Sequence, residues 1–342
     1  MTARLVDRTP YVEPSDLVAS LVPPQRFDQV RFDTYRPDPD EPTQSVAVQR
    51  LRDFAADIAP QGRRRGLFSR TPTPSGPGGV YLDGGFGVGK THLLASVWHL
   101  APGPKLFGTF VEYTNLVGAL GFAPAVEALS GHTVVCIDEF ELDDPGDTVL
   151  MSTLLARLAE SGVRLAATSN TLPGTLGEGR FAADDFLREI QALAERFEVL
   201  RVDGQDYRHR GLPQAPEPLP HKDAERWAAT TPGATCDDLD ALCRHLEQVH
   251  PSRYGALVDG LEGVAITGMH PIEDQNIALR LVVLVDRLYD RDVPVVLAGT
   301  PIDQLFAPDL LAGGYRKKYQ RCLSRLIALA REGAGASQRG EA

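Results

Sequence analysis

The chain has 342 residues, of which 43% are hydrophobic and 24% are charged. This composition is ordinary for a folded globular protein and excludes a wholly disordered chain, and the length suits one large or two modest domains. The formal net charge of -11 argues against a surface built mainly to bind nucleic-acid phosphates, because such surfaces depend on clustered lysine and arginine.

The cysteines and the hydropathy of the sequence indicate a protein of a reducing compartment inside the cell. The 4 cysteines are scattered, and they form neither a disulfide framework nor a CxxC zinc motif. Residues 1–10 lack the apolar core of a signal peptide, and no window approaches the ~20 apolar residues of a membrane span. The histidines show no spacing typical of metal ligands. We therefore expect a cytoplasmic protein without a transmembrane segment.

The chain begins with an N-terminal segment, residues 1–60, in which apolar residues at helical spacing predict a helix over 43–58. A stretch rich in Gly, Pro, Ser and Thr follows at 61–79, and we predict a flexible loop there. This loop contains the basic run Arg63 to Arg65, for which solvated arginines are the expectation and contact with DNA or an anionic lipid surface is the alternative.

Residues 80–205 carry the pattern of a nucleotide-binding core. Short apolar strands alternate with helices, which predicts a parallel, doubly wound α/β sheet. The predicted strands are 80–82, 109–113, 133–137, 163–168 and 197–202, and the predicted helices are 90–100 and 148–160.

A proline-rich stretch at 206–222 predicts a linker, and the C-terminal α/β module at 223–332 precedes a tail at 333–342 that is predicted to be disordered. Five basic residues of the final helix predict a solvated face, with nucleotide contact through Arg321 or Arg325 as the alternative. The elements predicted in the module are helix 236–249, strand 263–267, helix 277–289, strand 293–298 and helix 315–331.

A glycine-rich turn between the first core strand and its helix matches the phosphate-loop pattern. Glycines let backbone N–H groups turn towards phosphates without a colliding side chain. Lys90 would supply a point charge to the β- and γ-phosphates, and the Thr91 hydroxyl would coordinate magnesium. The strand before and the helix after favour this reading over a chance glycine turn. The predicted loop residues are Gly84, Gly85, Phe86, Gly87, Val88, Gly89, Lys90 and Thr91.

Two acidic residues end the apolar strand that begins near Val134. A buried strand does not end in adjacent carboxylates without something to neutralise them, and magnesium bound to phosphate is the expected partner. Asp138 would hold the metal directly or through water, and Glu139 would orient and polarise the attacking water. The position about fifty residues after the phosphate loop favours this interpretation over a solvated turn.

The next strand ends in small polar residues, and Asn170 there is predicted to sense the γ-phosphate or hold the water, with a plain turn as the alternative. A transition-state arginine is the usual further part of such a site, and it can come from a neighbouring subunit. Arg180 and Arg188 follow the sensor strand and are the candidates, with ordinary surface arginines as the alternative.

The C-terminal module contains a block that aligns without gaps with part of the core. Residues 264–300 and 134–170 both have the pattern strand, turn, helix, strand, but the second block has Gly268 and Met269 in place of the acidic pair. We interpret it either as a structural echo without catalytic groups or as a chance match, because any two strand-helix-strand units share this periodicity.

Taken in order, several motifs resemble the ZapE family of AAA+-type ATPases, which are bacterial cell-division ATPases with mitochondrial relatives. The motifs are YLDGGFGVGKTHLL, VVCIDEFELDD, LAATSN, DYRHR, LVVLVDRLYDRDVPVVLAG and YQRCLSRL. The resemblance implies an AAA+-like P-loop fold with a C-terminal lid-like module, ATP hydrolysis with Mg²⁺ in the cytoplasm, and in some bacteria action on FtsZ polymers. Mitochondrial relatives are linked to inner-membrane protein quality control.

By this resemblance residues 84–91 take the Walker A role, Asp138 and Glu139 the Walker B role, and Asn170 the sensor role. The sequence departs from the family where relatives carry an arginine in a GLQR-like motif, since Ala183 stands there and Arg180 is displaced. The arginine finger and the assembly mode are therefore open.

Three functions compete at this point. The first is an ATPase that remodels or regulates a protein partner, with FtsZ as the suspected partner and the question of a homo-oligomer left open. The second is a helicase-loader-like ATPase, against which the acidic charge argues. The third is a nucleotide-gated scaffold with negligible turnover, for which a water-activating carboxylate at Glu139 would be unnecessary. Nucleic acid is not the expected partner, and peripheral membrane contact stays open.

Overall fold

A computed structural model describes residues 3–58, 78–85, 87–140, 145–172, 191–192, 194–204 and 215–339. The chain forms two compact units, each built on its own parallel sheet. The five-stranded unit comprises Glu13–Pro23 and Phe27–Arg210, and the three-stranded unit comprises Met1–Val12, Pro24–Arg26 and Gly211–Ala342. Among the residues described, no helix combines the length and the apolar composition needed to cross a bilayer.

The five-stranded unit has its parallel strands in the order β2-β3-β4-β1-β5. Its strands are β1 (Gly79–Asp83), β2 (Lys105–Thr109), β3 (Val134–Asp138), β4 (Arg164–Ser169) and β5 (Phe197–Arg201). Its helices are α1 (Pro14–Ala19), α2 (Pro42–Ala56), α3 (Lys90–Leu100), α4 (Phe110–Leu120), α5 (Phe122–Ser130) and α6 (Pro145–Glu160).

Hydrophobic side chains cover both faces of this sheet, which explains why β1 and β3 are buried along their whole length. Successive residues of a strand point to opposite faces, so Tyr81 joins the cluster formed with α4, α5 and α6, while Val80 and Leu82 join the cluster formed with α2 and α3. The doubly wound α/β arrangement predicted from the alternation of strands and helices is present.

The predicted strand at 109–113 is wrong, because these residues begin a helix. Thr109 ends β2 and caps α4: its hydroxyl accepts from the Glu112 N–H at 3.3 Å, and the Glu112 carboxylate accepts from the Thr109 N–H at 2.7 Å. This capping box satisfies two N–H groups at the start of the helix, and it outweighs the strand preference of the aromatic and β-branched residues that follow.

The three-stranded unit has the strand order β6-β7-β8, again all parallel. Its strands are β6 (Ala234–Asp238), β7 (Gly263–Met269) and β8 (Val295–Gly299). Its helices are α7 (His221–Thr230), α8 (Leu239–Gln248), α9 (Tyr254–Val258), α10 (Gln275–Asp290), α11 (Pro308–Ala312) and α12 (Arg316–Arg339).

Two element boundaries in this unit differ from those predicted. Cys236 lies on β6 rather than in a helix, and α8 begins only after Asp238, whose carboxylate accepts from the Ala241 N–H at 3.2 Å. An N-cap aspartate therefore marks where the strand ends and the helix begins. The last helix extends to Arg339, beyond the predicted end at 331 and into the stretch predicted as a disordered tail.

Two of the basic residues predicted to form a solvated face on the last helix are engaged inside the unit. Arg321 is only 8% exposed, and its guanidinium lies 3.2 Å from the Asp286 carboxylate of α10. Arg325 pairs with the same carboxylate. The two arginines therefore neutralise a shared acidic partner between α10 and α12, and the solvated-face prediction is wrong for them.

The repeat-like block at 264–300 has the expected order of elements. The pair β7 and β8 is connected through α10, just as β3 and β4 are connected through α6, and each pair of strands is adjacent and parallel. A structural repeat of residues 134–170 without catalytic groups and a chance match both predict this order of elements, so the structure does not distinguish between the two interpretations.

The first described residues complete the three-stranded unit. The carbonyl of Ala3 accepts from the Cys236 N–H at 3.0 Å, and the Leu5 and Val6 N–H groups donate to the buried Asp237 carboxylate at 2.8 and 3.2 Å. Leu5 is fully buried in the main hydrophobic cluster of this unit. The stretch predicted as one N-terminal segment, 1–60, is thus divided between the two units.

Leu5 is a core residue of the three-stranded unit, although the rest of that core lies far along the chain. Leu5→Ala should therefore destabilise the three-stranded unit by about 2–5 kcal/mol, the cost of truncating a buried leucine. The measurement is urea unfolding followed by fluorescence in a Trp98→Phe background, which leaves Trp227 of the three-stranded unit as the reporter among the 2 tryptophans.

The matched control is Leu100→Ala, because Leu100 is 52% exposed at the end of α3. The control should leave the Trp227 transition unchanged. A Leu5→Ala transition that coincides with that of the Trp98→Phe parent would contradict the structural role assigned to the first residues.

Candidate functional site

The turn between β1 and α3 holds a buried lysine ammonium in a ring of oxygen atoms. Lys90 is the first residue of α3 and is 9% exposed. Its Nζ donates to the carbonyl oxygens of Gly84 at 2.8 Å and Gly85 at 2.5 Å, and to Oδ1 of Asn170 at 2.8 Å. A buried ammonium requires such partners, so this charge joins the glycine loop to the end of β4.

Three of the four glycines of the loop stand where a side chain would be strained or would collide. Gly87 and Gly89 have φ angles of 78° and 90°, in the left-handed region that glycine adopts without steric cost. A Cβ at Gly84 would lie 2.2 Å from the Val202 carbonyl oxygen, so no side chain fits there. Phe86, predicted as part of the loop, lies outside the described residues.

The acidic residue that ends β3 is buried and hydrogen-bonded. Asp138 is 7% exposed, and the Thr91 hydroxyl donates to its carboxylate with distances of 2.9 and 3.2 Å to the two oxygens. The Thr168 hydroxyl donates to the same carboxylate. Burial, together with the neighbouring Glu139, raises the pKa of Asp138, and the two hydroxyls and Lys90 oppose that shift. A carboxylate in this setting favours a bound cation.

Glu139 occupies a turn with unusual backbone geometry. Its φ of 54° is left-handed, which is uncommon for a residue other than glycine, and its N–H donates to Oγ1 of Thr168 at 3.1 Å. The following N–H, of Phe140, donates to the Thr168 carbonyl at 2.7 Å. Both bonds attach the end of β3 to β4, so the surrounding sheet stabilises the strained turn that carries this carboxylate.

The strand order explains how these residues meet. Because β4 lies between β1 and β3, the residue that follows β4 lies between the glycine loop and the acidic pair. Carboxyl ends of parallel strands meet at one edge of a sheet, where ligands of open α/β folds bind. The sequence predicts Lys90, Thr91, Asp138 and Asn170 at such ends. In the structure Lys90 is hydrogen-bonded to Asn170, and Thr91 is hydrogen-bonded to Asp138.

The structure adds residues to the site that the sequence did not predict, and some predicted residues lie outside the described part of the chain. Thr168 was not identified from the sequence, although its place among the small polar residues at the end of a strand was the available signal. Tyr35, which contacts the loop from outside it, had no local signal. The arginine-finger candidates Arg180 and Arg188 lie outside the described residues.

The donor atoms near Asp138 fit the magnesium ion expected from the sequence. Magnesium binds through oxygen and commonly takes only one or two protein ligands, with phosphate oxygens and water completing the shell. Thr91 and Asp138 offer a hydroxyl and a carboxylate that already lie together, and the buried negative charge of Asp138 favours a bound cation. These residues would hold the ion.

Known proteins resemble this chain over most of its length. A family model described as AFG1-like ATPase matches residues 11–231 and 220–335. The cell division protein ZapE of Escherichia coli K12 is 28% identical over 349 residues, covering 84% of this chain and 90% of that protein.

Other similarities are partial. An uncharacterised protein of Schizosaccharomyces pombe is 30% identical over 161 residues, covering 42% of this chain and 35% of its own length. A crystal structure of the DnaC helicase loader is 19% identical, with a TM-score of 0.37, and the match covers 52% of this chain and 99% of that one.

The family match extends across both units and includes the residues of the glycine loop and the acidic pair. It confirms the resemblance to ZapE that the motifs predicted, and with the strand order it confirms the α/β P-loop fold of AAA+ type. The chain belongs to the AFG1-like ATPase family.

Proposed function

We propose that the chain is a magnesium-dependent ATP hydrolase whose turnover remodels or regulates a protein partner in the cytoplasm. One observation supports the hydrolase most directly: two hydrogen-bonded pairs, Lys90 with Asn170 and Thr91 with Asp138, lie at the ends of three adjacent strands. Phosphoryl transfer depends on positioning and charge, and this group supplies a cation for the phosphates and oxygen ligands for the metal.

In this proposal residues 84–91 surround the phosphates with backbone N–H groups, and Lys90 exchanges loop carbonyls for the β- and γ-phosphate oxygens. The Thr91 hydroxyl donates its proton to Asp138, so its lone pairs face away from the carboxylate and are available to the metal. Asp138 holds the ion directly or through water. Magnesium would neutralise phosphate charge as it develops in the transition state.

Glu139 and Asn170 act on the attacking water and the γ-phosphate. Glu139 follows the metal-holding residue in a fixed turn, where its carboxylate would orient and polarise water. Lysine only donates hydrogen bonds, so the Asn170 atom that faces Lys90 is its carbonyl oxygen. The Asn170 NH₂ group therefore points elsewhere and can donate to the γ-phosphate or to the water.

The proposal leaves a place for a transition-state arginine. Arg180 and Arg188 are the sequence candidates, and such an arginine can also come from a second copy of the chain in a homo-oligomer. The suspected partner is the FtsZ polymer, because ZapE of Escherichia coli is named a cell division protein and the motifs resemble that family. The net charge of -11 does not favour DNA as the partner.

Removing the Glu139 carboxylate should separate binding from chemistry. Glu139→Gln keeps the size and polarity of the side chain but not its capacity as a base, so kcat should fall by about 10²–10⁴-fold while ATP affinity stays close to that of the wild type. Steady-state phosphate release and equilibrium binding of a fluorescent ATP analogue measure the two quantities.

Glu160→Gln is the matched control, because Glu160 is an exposed residue of the same unit that pairs with Arg157 on its own helix. It should turn over ATP normally. Wild-type turnover in Glu139→Gln would remove Glu139 from the mechanism, and Lys90→Ala should fail to bind ATP at all.

Neutralising the Asp138 carboxylate should weaken the binding of magnesium. Asp138→Asn removes the negative charge beside the Thr91 hydroxyl, so the magnesium concentration for half-maximal turnover should rise by at least about 10-fold. The measurement is a magnesium titration of ATP hydrolysis at saturating ATP.

Asp40→Asn serves as the control, since Asp40 is an exposed aspartate of the same unit. It should give the wild-type titration curve. If the Asp138→Asn curve also overlays the wild type, Asp138 has no part in holding the metal.

Partner dependence distinguishes the competing functions. With purified FtsZ polymers added, turnover by the wild-type chain should rise, and the rise should be absent in Glu139→Gln. Stimulation by single-stranded DNA that declines with salt would support the helicase-loader alternative instead. Tight ATP binding without turnover under every condition would support the scaffold.

A further inference from the structure

A tyrosine from outside the phosphate loop contacts the last turn of that loop. The Tyr35 hydroxyl donates to the Val88 carbonyl oxygen at 2.8 Å. Its ring lies against Gly89, where an added Cβ would be 2.6 Å from Cε2 of the tyrosine, and it meets the His92 ring edge-on at 5.5 Å between centroids. Tyr35 therefore contacts the loop just before Lys90 and the helix just after it.

The segment that carries Tyr35 is fastened on both sides. Before it, His92 Nε2 of α3 lies 3.0 Å from the Thr34 hydroxyl and 3.1 Å from the Arg31 carbonyl oxygen. After it, the Asp38 N–H donates to the side chain of Gln44 at 2.8 Å, and Gln44 is buried at the start of α2. Side chains of α3 and α2 thus hold the segment that carries Tyr35.

The hydrogen bond to Val88 determines which way a neighbouring N–H points. In a trans peptide the C=O and the following N–H lie on opposite sides, so holding the Val88 carbonyl towards Tyr35 directs the Gly89 N–H away from it. Gly89 is the N-cap of α3, and amides at the start of a helix have no acceptor within the helix. In a phosphate loop such amides bind the α- and β-phosphates.

We propose that Tyr35 is a positioning residue of the nucleotide site: its hydroxyl fixes the Val88–Gly89 peptide so that the Gly89 N–H faces the phosphates, and its ring confines Gly89 to its left-handed conformation. This inference rests on the proposed function. Tyr35 is far from the loop in the sequence, and it affects nucleotide binding by orienting one peptide group, Val88–Gly89. Because the α- and β-phosphates are common to both nucleotides, Tyr35 acts on ADP and ATP alike.

The test is Tyr35→Phe, which removes the hydroxyl and keeps the ring against Gly89. Affinities for fluorescent ADP and ATP analogues should both fall by about 2- to 12-fold, the range for losing one hydrogen bond. In steady-state hydrolysis KM should rise by a similar factor while kcat changes little, since the interaction is made equally in ground and transition states.

Tyr254→Phe is the matched control. Tyr254 also donates its hydroxyl to a backbone carbonyl, that of Leu246 at 2.6 Å, but it does so in the core of the three-stranded unit. Both substitutions remove one tyrosine-to-carbonyl bond, so both can lower the unfolding temperature of the nucleotide-free protein. Only Tyr35→Phe should change nucleotide affinity.

The outcomes separate the two proposals. Wild-type affinity for ADP and ATP in Tyr35→Phe overturns the positioning role and leaves the proposed hydrolase intact, as does an equal loss of affinity in Tyr254→Phe. A wild-type chain that binds neither nucleotide overturns both proposals at once. Loss of ATP affinity with unchanged ADP affinity also contradicts the positioning role, because the Gly89 amide would then not face a phosphate shared by both.

Discussion

The buried ammonium of Lys90 is the constraint that the candidate site depends on. Lys90 is 9% exposed, so its charge needs oxygen partners, and they come from the glycine loop and from Asn170. Asn170 lies within hydrogen-bonding distance of Lys90 because β4, which it follows, lies next to β1 and between β1 and β3 in the sheet. The geometry of the site therefore depends on the strand order. If another strand took the place of β4 in the sheet, Lys90 would lose Asn170 as its third hydrogen-bond acceptor.

The acidic side of the site depends on the same strand. Thr168 of β4 donates its hydroxyl to Asp138 and accepts from the Glu139 N–H, so one side chain supports both carboxylate-bearing residues. Its position fixes a left-handed turn that would otherwise cost free energy at a residue with a side chain. One central strand thus positions the lysine on one side and the acids on the other.

The sequence predicted those features whose causes are local. Glycines before Lys90, two acids after an apolar run and the alternation of strands with helices each follow from a few adjacent residues, and the structure places them together. The strand predicted around Tyr113 was wrong because a capping box decides the conformation, and the start of α8 was missed because Asp238 caps it. Thr168 and Tyr35 were not found because their roles arise from contacts between segments distant in the sequence, and no periodicity records such contacts.

The pairing of the first residues with β6 bears on how the polypeptide folds as it is synthesised. The Leu5 N–H and the Asp237 carboxylate that accepts from it are 232 positions apart, so the ribosome completes the entire five-stranded unit before this partner emerges. Until then a core leucine of the other unit stays without its burial site, and loop closure over that length is slow to form. The core of the three-stranded unit can therefore be completed only after β6 has been synthesised, and the N-terminal residues stay unburied during that interval.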